Sequence, residues 1–125
     1  MSKPWLTVET EETPAGTSVV VRGTFVDDSE PAVELAPGDL ITLEATLLDQ
    51  ATGDVIEGWD GVDVKGAHGG SFDGTRFSLR LGPEDTELVS NKKMETRRLI
   101  LRWTFNEGDD AGYAEVNFPI RQAAA

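Results

Sequence analysis

The strongest constraint on this fold is a period of two in hydrophobicity, running twice through residues 97 to 121, RRLILRWTFNEGDDAGYAEVNFPIR. Leu99, Leu101, Trp103 and Phe105 form one row, and Val116, Phe118 and Ile120 form another. Successive side chains of a strand point to opposite faces, so each row is the buried side of a strand whose other side is polar. The polar, glycine-bearing NEGDDAG between them supplies a reversal, and together they predict a hairpin. Asp109 and Asp110 fall at its tip, where short acidic side chains accept backbone amide bonds. Pro119 has no amide proton to give a ladder, which puts its strand at a sheet edge or at a local irregularity.

The same pattern recurs along the chain. In TRFSLRL (75–81) Phe77, Leu79 and Leu81 alternate with Arg76, Ser78 and Arg80. In SVVVRGTFV (18–26) Val19, Val21 and Phe25 alternate with Arg22 and Thr24, and Gly23 marks a possible bulge. In LITLEATLLDQATGD (40–54) Ile41, Leu43, Ala45 and Leu47 share one face, before Asp49, Thr52, Gly53 and Asp54 reverse the chain toward Val55 and Ile56. Only PEDTELVS (83–90) hints at helix, with Pro83 in a first-turn position and acids behind it. The glycine-rich GWDGVDVKGAHGGSFDG (58–74) reads as a loop or a weakly paired strand with long flanks. About seven short strands and at most one short helix near 83–90 define an all-β fold, a single antiparallel β-sandwich or small barrel.

At 125 residues the chain has the length of one domain with its own core. Its 23 acidic and 11 basic residues give a net charge of −12, which disfavours nucleic acid and anionic membrane surfaces as partners. The absence of cysteine excludes disulfides, thiolate nucleophiles and cysteine-ligated metal centres. MSKPWLTVETEE lacks the apolar run of an export signal, and no run approaches the roughly 20 apolar residues of a membrane-spanning helix.

Candidate chemistry is sparse, and no catalytic, cofactor-binding or metal-binding residue is assigned. His68, the single histidine, sits in GAHGG, a context that does not hold a general base in place. Asp60, Asp63 and Asp73, and separately Asp27, Asp28 and Glu30, offer oxygen ligands suited to calcium but match no calcium-loop spacing. Trp5, Trp59 and Trp103 raise a carbohydrate-stacking reading; Trp103 belongs to a buried row, Trp59 is the better candidate for exposure, and Trp5 is a candidate N-terminal anchor. Positive charge concentrates in NKKMETRRLILR, where Lys92, Lys93, Arg97, Arg98 and Arg102 form a candidate patch for an acidic partner, or protect a strand edge.

The order of these elements resembles the small immunoglobulin-like β-sandwich domains of tailed-phage virion proteins, the group that includes the N-terminal domain of upper baseplate proteins. Gly38, Asp39, Asp49, Thr52, Gly53 and Ile56 carry the first hairpin of that pattern, and Phe105 to Pro119 the last. The resemblance covers about residues 17–121, with an N-terminal arm (1–16) and a short tail (122–125) outside it. It implies an immunoglobulin-like sandwich without catalytic residues. It also implies a structural role in a virion, in head decoration, neck, tail or baseplate, assembled in the host cytoplasm through contacts with other virion proteins or further copies of itself. A carbohydrate- or calcium-dependent adhesion module is the alternative expectation.

Overall fold

A computed structural model describes residues 5–9, 13–14, 16–26, 33–88 and 93–121. In chain order the strands are β1 (Trp5–Glu9), β2 (Thr13–Pro14), β3 (Val19–Phe25), β4 (Leu40–Asp49), β5 (Val62–Asp63), β6 (Gly70–Asp73), β7 (Arg76–Leu81), β8 (Met94–Phe105) and β9 (Asp110–Arg121). They form two sheets, β1-β3-β7-β6 and β2-β9-β8-β4-β5, packed as a β-sandwich. In immunoglobulin lettering the first sheet is A-B-E-D, and β4, β8 and β9 occupy the C, F and G positions of the second. All pairings are antiparallel except the short β2–β9 contact.

The expected N-terminal arm is part of the sandwich where it is described. β1 pairs with β3, and β2 pairs with β9, so the chain start joins both sheets. A register irregularity between Thr7 and Glu9 lies opposite Gly23 and Arg22, so the bulge expected at Gly23 falls in its neighbour strand. Residues 122–125 lie outside the described residues.

The alternating rows meet in the core. Val21 and Phe25 of β3 and Phe77, Leu79 and Leu81 of β7 face Leu43, Ala45 and Leu47 of β4, Leu99, Leu101 and Trp103 of β8, and Val116, Phe118 and Ile120 of β9. At the centre the Phe25 ring lies 4.5 Å from Trp103 and 5.4 Å from Phe77, which joins the sheets through aromatic faces and edges. Close approach at this point requires glycine. A Cβ on Gly112, the β9 residue paired with Trp103, would stand 2.2 Å from the indole.

Ile41 departs from the expected inward row. A register shift between Leu40 and Thr42 turns Leu40 into the core and leaves Ile41 exposed. The predicted helix at 83–90 is reduced to a 3₁₀ turn, Pro83–Thr86; Val89 and Ser90 lie outside the described residues, among which no α-helix occurs. The polar side chains close this single turn and tie it to the chain before β3. Asp85 accepts the Gly82 amide at 2.9 Å, and the Thr86 hydroxyl donates to the Thr17 carbonyl at 2.7 Å. The glycine-rich segment crosses between sheets, giving β5 to one and β6 to the other. It is pinned at Gly70, where a Cβ would overlap the Val64 carbonyl at 1.9 Å.

Candidate interaction surfaces

The predicted basic patch is divided by strand alternation. Arg97 lies on the inward row of β8, two residues before Leu99, and is fully buried. Its Nη1 donates to Glu95 Oε1 at 2.8 Å and reaches Asp49 Oδ1 at 3.4 Å, while Nη2 donates to the Glu87 carbonyl at 2.6 Å. Asp49 also accepts the Thr52 hydroxyl at 3.0 Å, which ties the turn after β4 into the cluster. Arg97 is therefore a structural cation and not a surface contact. The parity of its position relative to Leu99, Leu101 and Trp103 could have revealed this, as could the parity of Asp49 relative to Leu43, Ala45 and Leu47.

Arg98 and Arg102 emerge on the opposite, outer face of the five-stranded sheet. Strand register brings Glu44, Arg102 and Tyr113 side by side, and Ile100 and Glu115 form the next outward-facing pair. The Arg102 guanidinium carbon sits 5.7 Å from the centre of the Tyr113 ring, a cation–π distance. Arg98 lies 3.7 Å from Glu115, but Arg102 has no ion pair among the described residues. The Tyr113 hydroxyl donates to Glu115 Oε1, and this bond, followed by desolvation and the Glu115 charge, raises the phenol above its ordinary value; Arg102 and Arg98 act against the rise. Around Arg102, Thr42, Glu44, Thr104 and Tyr113 enclose a shallow hollow of about 400 Å³. Lys93 is exposed just before β8, and Lys92 lies outside the described residues.

The tryptophans are distributed differently from the expectation for a sugar platform. Trp59 is 5% exposed, because its indole N–H donates to Asp85 at 2.8 Å and its ring packs into the core cluster. That removes the stacking face expected of it. Trp103 is buried as predicted. Trp5 opens β1 opposite Phe25, and its side chain lies outside the described part.

His68 is exposed, at a positive φ of 52°, with its ring 6.0 Å from Trp59 in an edge-on arrangement. Of the loop acids, Asp63 accepts the Lys65 amide at 2.9 Å, a local turn bond. Asp27, Asp28 and Glu30 lie outside the described residues. Among the described residues no group of three or more histidine or acidic side chains is placed to hold a metal ion, and no helix is long and apolar enough to cross a membrane.

A second concavity, missed in the sequence, lies at the Arg97 end of the sandwich. This cleft of about 620 Å³ is bounded by the turn after β4, the Pro83–Thr86 turn with its following residues, and the start of β8. Val55, Ile56, Leu88 and Met94 supply its apolar surface; Asp54, Glu57, Glu84 and Glu87 supply exposed carboxylates, and Asp49 and Glu95 line it from below. Its segments are far apart in sequence, so no local pattern announces it.

By fold the chain is an antiparallel β-sandwich with the immunoglobulin arrangement of strands. No protein-family model matches it, and no curated protein matches it significantly.

Proposed function

We propose that this chain is a non-enzymatic assembly subunit of a tailed-phage virion, and that it binds an acidic surface of a neighbouring virion protein through the outer face of its five-stranded sheet. The observation that carries the contact is Arg102, a cation without an ion pair among the described residues, held against Tyr113 beside Arg98 and Ile100 on a regular sheet face. Arginine and tyrosine concentrate binding energy at protein interfaces, since both present large flat surfaces with polar tips. In a chain of net charge −12, an arginine without an ion pair also directs where an acidic neighbour docks and which approach is repelled. The virion setting rests on the family resemblance of the two hairpins.

The test is quantitative mass spectrometry of purified virions assembled with wild-type chain or with Arg98→Glu/Arg102→Glu chain. A fixed ratio to the major capsid protein is expected for wild type and loss of the chain for the variant, which should keep a cooperative thermal melt while losing about 1 kcal/mol, because its new glutamates stand beside Glu44 and Glu115. Particles lacking the wild-type chain overturn the virion role. Incorporation of the variant at the wild-type ratio overturns the assigned face. Arg97 is left intact in this variant, because replacing it would unsettle the interior.

A further inference from the structure

We propose that the cleft at the Arg97 end is a second docking site, one that takes a short segment of a partner protein carrying a lysine or arginine beside an apolar side chain. The cleft differs from the outer sheet face in position, shape and sign. Among the described residues its lining contains six carboxylates and no lysine, arginine or histidine. Asp49 and Glu95 are engaged with Arg97, whereas Asp54, Glu57, Glu84 and Glu87 are exposed and have no ion pair among the described residues.

The apolar part of the lining is an independent observation. Val55 and Met94 are 44% and 48% exposed, two of only five large hydrophobic side chains left exposed among the described residues, and both line this cleft. Half-buried Ile56 and Leu88 continue that surface into the core. Apolar surface gathered in a concavity and ringed by polar groups is the pattern of a binding site.

The combined chemistry selects the occupant. An anion is repelled, and a purely apolar ligand would strip water from the carboxylates without replacing it. A bare divalent cation needs several converging oxygen ligands, and the described acids do not converge in that way. A lysine or arginine satisfies both halves at once, because its methylene stem lies on apolar surface while its charged head stays at the rim. A second copy of this chain offers Arg98 and Arg102 from a flat sheet face, and its exposed Lys93 directly precedes Met94 of its own acidic cleft, which would meet its equal, so a separate partner fits the concavity better.

The test selects displayed random dodecapeptides against the intact protein, with counter-selection against the Glu57→Lys/Glu84→Lys/Glu87→Lys variant. These three side chains are exposed, and a Glu57→Gln/Glu84→Gln/Glu87→Gln variant checked by thermal melting guards against a folding defect. The expected peptides pair lysine or arginine with leucine, isoleucine or similar residues. Their synthetic versions bind wild type at least tenfold more tightly than either variant, weaken with salt, and shift the NMR signals of Val55 and Met94. The proposal is overturned if no peptide survives counter-selection, if the survivors lack basic residues, or if the signals that shift map to another face. It is equally overturned if calcium chloride alone produces the same shifts, or if sedimentation shows wild-type self-association that the lysine variant abolishes, since these identify a cation or a second copy as occupant.

Discussion

Two ends of one buried row on β8 are held by different physics. At one end Leu101 and Trp103 pack into the aromatic cluster with Phe25; at the other Glu95 and Arg97 form an ionic cluster with Asp49. The aromatic end gains from removing apolar area from water and from close contact, so any loss of volume there is felt directly. The ionic end is in balance, since desolvating three charges costs about as much as their mutual attraction returns. What that cluster contributes is position: one guanidinium holds the turn after β4 and the segment after the Pro83–Thr86 turn. Both segments border the cleft, which makes the ionic end a support for a surface and the aromatic end a support for the fold.

Substitutions separate these roles. Trp103→Ala is expected to cause the largest loss, toward the upper part of about 3–5 kcal/mol, because the surrounding rings cannot close on the void. Chemical denaturation measures it, and a loss under about 1 kcal/mol would show that the aromatic end is not the fold's anchor. Arg97→Met should lose about 3 kcal/mol by leaving two carboxylates without their cation. The companion Asp49→Asn/Glu95→Gln/Arg97→Met chain should recover most of that loss. If the triple variant is no more stable than the single one, the ionic end contributes net attraction, and the contrast between the ends collapses.

A smaller effect, about 2 kcal/mol, is expected for Gly112→Ala, since its Cβ must displace the Trp103 ring. A stability unchanged from wild type would mean that the indole has room to move. The smallest effect lies on the outer face. Tyr113 is the chain's single tyrosine, so ultraviolet titration reads it alone. Its phenol is expected to ionise above the ordinary value of 10.0 and to fall back in Glu115→Ala. The raised folded value favours the neutral phenol, so this contribution to stability is present below the ordinary value and disappears as pH rises through the folded one. Unchanged titration in Glu115→Ala would mean that the hydrogen bond is not the cause.

Legibility followed the range of each interaction. The strands over 19–25, 40–49, 76–81 and the last hairpin were readable because alternation is a local signal that both sheets reward. Ile41 was misplaced because a bulge shifts parity without leaving a mark in composition. Trp59 looked exposed among glycines, yet the acceptor that buries it, Asp85, lies 26 residues away. Arg97 was misread for another reason: its parity matched the core row, but its charge suggested a surface.

The sequence by itself determined that this chain forms strands, where most of them lie, and which rows they bury, because side-chain alternation follows from the geometry of a strand. Tertiary structure alone decided which charges are paired and which are available. It paired Asp49 with Arg97 across two strands, freed Arg102 on the outer face, and assembled the cleft from three separate segments. Charge acts through space and depends on neighbours distant in sequence, whereas alternation acts along the chain and needs none.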